Sequence, residues 1–216
     1  MEPCSSTQYE TYDVPVDERE KIRIFHVGEE FFVMTRREAF TAEKKSRISV
    51  TYADNEDELN KWSSDDPPYR MKPELALLMI DFKLATAHKV TPMQMKSFHH
   101  SLEAINTEFE EIHVPQLNLP KTQIFKTVYA VAKDLWLKGY YLSTASLYGA
   151  HLTAYIGSPN AFHGKYIVHC STGPSMNMLE MVSLARSSNQ VKKELLIAFV
   201  QDAARPYYLN TSWFKV

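Results

Sequence analysis

The sequence predicts an α+β chain: a small mixed α/β N-terminal domain, a helix and linker, and a C-terminal α/β domain built on a mixed sheet. Three observations predict it. Segments of helical and of strand periodicity interleave along the chain. Polar, proline-bearing stretches interrupt them at 54–68 and 114–120. Charge divides between the halves: residues 1–120 hold 14 Lys/Arg against 22 Asp/Glu, and residues 121–216 hold 10 against 4. The halves therefore carry −8 and +6, although the whole chain of 216 residues has a formal net charge of only −2.

Residues 1–20 lack apolar periodicity and carry Pro3 and Pro15 among many charges, which reads as a flexible tail. Structure is expected from Lys21, where Ile22 to Val27 alternates, Gly28 turns, and Phe31-Phe32-Val33-Met34 returns as a hairpin. A short helix follows over Arg36 to Ala42, and Ile48 to Tyr52 reads as a strand. Asp54 to Pro68 is acidic and loop-like, with Leu59 and Trp62 able to share a short helix. Pro73 then opens a helix through Glu74-Leu75-Ala76-Leu77-Leu78-Met79-Ile80-Asp81, proline in the first turn and a carboxylate early. These elements form the N-terminal domain, 21–90. A polar helical stretch runs from Pro92 to about Ile112, and Val114 to Pro120 completes the linker of 91–120.

The C-terminal domain, 121–216, opens with an apolar stripe at Ile124, Phe125, Val128, Tyr129, Ala132, Leu135 and Trp136. That helix is expected to end at Gly139 in a left-handed cap. Tyr140 to Leu142, Leu152 to Ile156 and Tyr166 to Cys170 read as strands. Met176 to Ser188 reads as a helix, and Glu194 to Val200 and Pro206 to Trp213 as two further strands.

Composition excludes several classes. A content of 44% hydrophobic and 23% charged residues is that of a globular protein. No stretch approaches the roughly 18 apolar residues of a membrane span. The N-terminus (Glu2, Ser5, Ser6, Glu10, Asp13) is wrong for a secretory signal. Cys4 and Cys170 stand alone, with the spacing of reduced thiols rather than of a metal site. The basic half fits a module that meets a polyanion; the other reading is two halves that attract each other.

Tyr155, His163 and Lys193 are the candidate chemistry. A phenol, an imidazole and an ammonium suffice to cut RNA without metal. One deprotonates a ribose 2′-OH, one protonates the leaving 5′-oxygen, and one balances charge on the phosphorane. Taken singly, each has a plainer reading as packing or surface charge. Arg186 alone is a charge near a helix C-terminus, and Trp213 a late-strand aromatic. His151, His169 and Cys170 suggest a metal, but a fourth ligand is missing and adjacent strand residues point to opposite faces. No metal or other cofactor is expected, and Cys170 on an apolar strand reads as an inert thiol.

With its local sequence, the trio resembles the tRNA-splicing endonucleases (tRNA-intron lyases). The resemblance is carried by Asp134-Leu135-Trp136-Leu137-Lys138-Gly139-Tyr140-Tyr141-Leu142, by Tyr155 to His163, by Tyr166-Ile167-Val168, by Leu184-Ala185-Arg186, by Val191-Lys192-Lys193 and by Trp213. It spans about 124–216 and is closest in character to the eukaryotic catalytic subunit that cuts the 3′ splice site. Pro73 to Phe82 with Ala85-Thr86-Ala87 resembles the family's small N-terminal domain less closely. Leu152 stands where an aromatic is common, and Lys192 replaces a frequent arginine.

The resemblance implies a restriction-endonuclease-like C-terminal fold. It also implies Tyr155 as general base, His163 as general acid and Lys193 as the stabilising cation. A tyrosine of free pKa about 10 is a poor base unless positive charge lowers it, which Lys193 is placed to do. Arg186 and Trp213 would clamp a splayed RNA base, serving a neighbouring subunit's site. The products would be a 2′,3′-cyclic phosphate and a 5′-hydroxyl. The substrate would be intron-containing precursor tRNA, and the partners a second catalytic and two structural subunits in the nucleus. The competing readings are a non-catalytic structural paralogue in the same complex and an RNA-binding module with steep salt dependence.

Overall fold

A computed structural model describes residues 21–50, 68–98, 109–201 and 205–211. The expected tail at 1–20, most of the acidic segment 54–68, and Trp213 lie outside the described residues. Each half of the chain contributes one five-stranded mixed sheet.

The first sheet has strand order β3-β2-β1-β4-β5, with β1 Ile22–Val27, β2 Glu30–Val33, β3 Tyr69–Met71, β4 Ala85–Lys89 and β5 Glu111–Ile112. β1 and β2 form the hairpin, with Phe25 opposite Phe32. Gly28 turns it at φ +65, a conformation that costs glycine little. β4 returns parallel to β1. Its crossover passes through α2 (Pro73–Asp81), which buries Leu75 to Met79 behind a first-turn proline. Before it, α1 (Arg36–Ser46) starts at Thr35, whose hydroxyl accepts from Glu38 N at 3.1 Å. Of the helix expected to reach about Ile112, α3 is described over Pro92–Phe98, and residues 99–108 lie outside the described residues. Ile112 instead lies in β5 opposite Ala87, because the sheet edge buries its side chain and pairs its backbone.

The second sheet runs β10-β9-β8-β7-β6, from β6 (Tyr141–Thr144), β7 (Leu152–Tyr155), β8 (Tyr166–Ser171), β9 (Glu194–Phe199) and β10 (Tyr207–Thr211). β8 and β9 are parallel, joined through α5 (Met178–Gln190); the other pairings are antiparallel. The amphipathic helix α4 (Gln123–Leu137) starts at Thr122, whose hydroxyl accepts from Phe125 N at 3.3 Å. Gly139, at φ +95, ends it in a left-handed conformation. Phe125, Val128, Val131, Ala132 and Leu135 are its buried stripe, packed between α2 and β8. One apolar core therefore runs from the first sheet through both helices to the second sheet.

A second junction joins the halves. Of the strand expected over Ile48–Tyr52, Thr51 and Tyr52 lie outside the described residues, and Ile48–Val50 make one parallel bridge, Ile48 with Leu142 of β6. Leu142 N donates to Arg47 O at 2.9 Å, and Ser49 N donates to Leu142 O at 2.8 Å. The partner strand lies more than ninety positions away, beyond the reach of local periodicity. Arg47 leaves α1 at φ +55. Its guanidinium lies 4.9 Å from the Trp136 ring centroid and donates to Trp136 O at 3.1 Å, while Trp136 Nε1 donates to Ser46 O at 2.6 Å. The end of α1 is thereby locked to the edge of the second sheet.

Candidate active site

Tyr155 is the last residue of β7, opposite Tyr141 of β6. Ser143 sits opposite Thr153, two residues along, and so is a diagonal neighbour of Tyr155 on one face. Burial pushes the Tyr155 phenol above its ordinary value. The Ser143 hydroxyl pulls the other way, and Tyr148 and Glu43 push it further up. The expected lowering by Lys193 is therefore not found: desolvation of the phenolate outweighs what favours it.

After Tyr155 the chain leaves the sheet in a tight loop. Ala161 N and Phe162 N both donate to Ser158 O at 2.9 Å. The Phe162 ring covers Gly157 so closely that a Cβ there would stand 2.5 Å from Phe162 Cδ2. Lys165 N then donates to Ala154 O at 2.9 Å, returning the chain to β7. His163, near the end of this loop, is exposed, and Gly164 after it is buried.

Lys193 is set by the end of α5. Val191 caps the helix, and Lys192 takes φ +55 to turn the chain. Lys193 N donates to Ser188 O at 2.9 Å, and Glu194 N donates to Lys165 O at 3.0 Å, fixing the register of the β9 start against the loop. The Lys193 ammonium donates to Val191 O at 3.4 Å and lies 5.5 Å from the Tyr148 ring centroid. Burial lowers its pKa, and among the described residues no carboxylate pairs with it.

Gly164 is where these parts meet. A Cβ on it would fall 2.8 Å from Lys193 Cε, 3.3 Å from Tyr155 Cε1 and 2.6 Å from Thr153 Cγ2. The phenol from one strand end and the ammonium from another thus share the space over a single glycine, adjacent in sequence to His163. Arg186 stands exposed on α5, and its expected partner Trp213 lies outside the described residues. Sequence reasoning passed over Gly164, Thr153, Ser143, Tyr148 and Glu43. The lone glycine after His163 was a usable signal; the others depend on tertiary placement.

Among the described residues no group of three His, Cys, Asp or Glu side chains is arranged to hold an ion. His151 Nδ1 accepts from Cys170 N at 3.1 Å, and its ring meets that of His169 edge-on at 4.9 Å. Burial pushes the Cys170 thiol well up, as expected of an inert cysteine. Burial, with help from His169 and Lys72, lowers His151 from 6.5 to about 4. Between those values the unfolded chain binds a proton at His151 that the folded chain refuses. Stability should therefore fall as pH drops from 6.5 toward 4. Urea midpoints across that range should show the fall, and His151→Gln should make it shallower, the remainder coming from His169 and His26, which burial also lowers. An unchanged pH slope in the variant would show that His151 is not buried neutral.

Residues 125–208 match the family model described as "tRNA intron endonuclease, catalytic C-terminal domain". The chain is 33% identical over 86 residues to "tRNA-splicing endonuclease subunit Sen34" of Mus musculus, covering 39% of this chain and 27% of that protein. The Homo sapiens protein of the same name is 30% identical over 86 residues, covering 39% of this chain and 28% of its own length. A "tRNA-splicing endonuclease" of Methanothermobacter thermautotrophicus is 32% identical over 90 residues, 40% of this chain and 53% of that one. The matches thus span about a quarter of the mammalian relatives and about half of the archaeal one.

Proposed function

We propose that this chain, whose residues 125–208 match the family model of the tRNA intron endonuclease catalytic C-terminal domain, is the catalytic subunit of a tRNA-splicing endonuclease. It cleaves precursor tRNA at the 3′ splice site without metal. The observation that supports this best is the convergence of Tyr155 and Lys193 over Gly164, one residue from His163, inside the matched segment.

Tyr155 takes the proton from the ribose 2′-OH next to the scissile phosphate. The 2′-oxygen forms a bond to phosphorus, and the bond from phosphorus to the 5′-oxygen breaks. His163 gives its proton to that leaving oxygen, and solvent exchange restores both side chains. Lys193 offsets the charge gathered on the phosphorane oxygens, and its burial strengthens that effect. The ends formed are a 2′,3′-cyclic phosphate and a 5′-hydroxyl. The raised phenol makes Tyr155 a strong base that is scarce in its ionised form at neutral pH. The neighbouring Ser143 hydroxyl favours that form.

The substrate is intron-containing precursor tRNA, and the chain works in the nucleus with a second catalytic and two structural subunits. Arg186 and Trp213 clamp an RNA base for a neighbour's site. The test is cleavage of an intron-bearing precursor tRNA by the assembled complex in EDTA. Full activity with cyclic-phosphate ends is expected. Loss of cleavage in EDTA, restored by a divalent ion, would replace this mechanism with a metal-dependent one.

A further inference from the structure

The loop that carries His163 is held from the other half of the molecule. Ser158 Oγ and Asn160 Nδ2 both donate to Glu43 Oε1, the second at 3.0 Å. Glu43 lies on α1, more than one hundred positions earlier in the chain, and is only 5% exposed. A carboxylate taken that far from water needs such donors, because burying it unpaired is costly. α1 is itself no loose support. One turn beyond Glu43 its end is fixed to the second sheet by the Ile48–Leu142 bridge and to α4 by Trp136 Nε1 donating to Ser46 O at 2.6 Å.

The loop needs such an anchor. Among the described residues its backbone hydrogen bonds are the turn at Ser158, the return at Lys165 and the Glu194 N bond to Lys165 O, all away from Pro159 and Asn160, and Phe162 over Gly157 closes it sideways. Among the described residues, the side-chain hydrogen bonds that join it to the rest of the protein are the two to Glu43. His163 lies three residues beyond Asn160 and is exposed. Its imidazole can protonate a leaving oxygen only from hydrogen-bond distance, so a shift of about 1 Å is enough to matter.

We propose that Glu43 is a positioning residue for the RNA-cleavage step, holding the His163 loop through Ser158 and Asn160 so that the imidazole meets the leaving 5′-oxygen. This rests on the proposed function, in which His163 is the general acid. It makes the N-terminal domain part of the catalytic apparatus rather than an appended module.

The test is a leaving-group substitution. The full chain in its assembled complex is assayed under single-turnover conditions on an intron-containing precursor tRNA. The scissile phosphate carries either its ordinary 5′-oxygen or a 5′-bridging sulfur, and a thiolate leaves without a proton. Glu43→Ala should slow the oxygen substrate by about 10²-fold, the scale of an approximately 1 Å misplacement. It should slow the sulfur substrate by less than about 3-fold. Glu43→Gln, which keeps an acceptor oxygen, should recover most of the rate on oxygen. Equal slowing of both substrates, or slowing of neither, overturns the inference. If Glu43→Ala does not fold, Ser158→Ala combined with Asn160→Ala removes the same contacts from the loop side and should give the same split. His163→Ala is the reference: its own split on the two substrates carries the general-acid reading. If His163→Ala shows no split, that reading falls and this inference with it. If only the Glu43 variants lack the split, the inference alone is wrong.

Discussion

Replacing His163 by alanine is expected to slow single-turnover cleavage of intron-bearing precursor tRNA by about 10²- to 10⁴-fold, the usual contribution of a positioned general acid. The fold should hardly notice. His163 is exposed, and the loop around it is shaped by the turn at Ser158, by Phe162 on Gly157 and by the two hydrogen bonds to Glu43. None of these uses the imidazole, so the unfolding free energy should change by no more than a surface substitution changes it, within about 0.5 kcal/mol. RNA affinity should also stay close to wild type, since phosphate contacts by other basic groups dominate binding. The signature is a rate that collapses while stability and affinity hold. A variant that still cuts at a tenth of the wild-type rate would remove His163 from the chemistry.

Gly164→Ala should be nearly as damaging, for a different reason. The glycine is not among the residues held at positive φ, so space rather than backbone strain demands it. The new methyl would press 2.6 Å from Thr153 Cγ2 and 2.8 Å from Lys193 Cε. Thr153 is 1% exposed within the central part of the sheet and has nowhere to go. The end of the lysine side chain is free to move, so Lys193 is the group that yields. Its ammonium would leave the space it shares with Tyr155, whose Cε1 is itself only 3.3 Å from the added atom. Loss of one charge-stabilising group at a transition state costs about 10²- to 10³-fold in rate. Overpacking should cost about 1–3 kcal/mol in stability as well. Lys193→Ala should match the loss of rate without the overpacking cost, and comparing the two in cleavage and urea unfolding separates the effects. Wild-type cleavage by Gly164→Ala would mean that the space over Gly164 is not where the reaction happens.

Much of the fold was legible locally. The alternation of Ile22 to Val27, the glycine turn and the second run of aromatics specify the hairpin because period and turn chemistry agree. Proline at the start of α2 and Gly139 after α4 mark helix ends through their own backbone limits. Reading failed where an element's identity depended on a distant partner. Ile48 to Tyr52 has strand composition, yet among the described residues only Ile48 finds a strand to pair with. Ile112 continues a helical pattern, yet the edge offered by β4 claims it.

The candidate site divides the same way. Side-chain chemistry and motif spacing named Tyr155, His163 and Lys193 without coordinates. Their electrostatics were not readable: Lys193 was expected to lower the Tyr155 phenol, whereas burial raises it. Desolvation depends on everything packed around a group, which spacing along a chain does not encode. Glu43 is the sharper case. Next to Lys44 and Lys45 it reads as part of a solvated charged face, but its helix end is tied to the second sheet at Leu142 and to α4 at Trp136, and its carboxylate is turned into the His163 loop. By itself, then, the sequence determined which chemical groups are present, the helices and strands whose signals are local, and the family pattern of the C-terminal part. Only the tertiary structure decided that Gly164 leaves the space into which Tyr155 and Lys193 converge, and that a buried glutamate from the N-terminal half holds the loop. Both are contacts between residues far apart in the chain, and they exist only because the shared core between the two sheets brings them together.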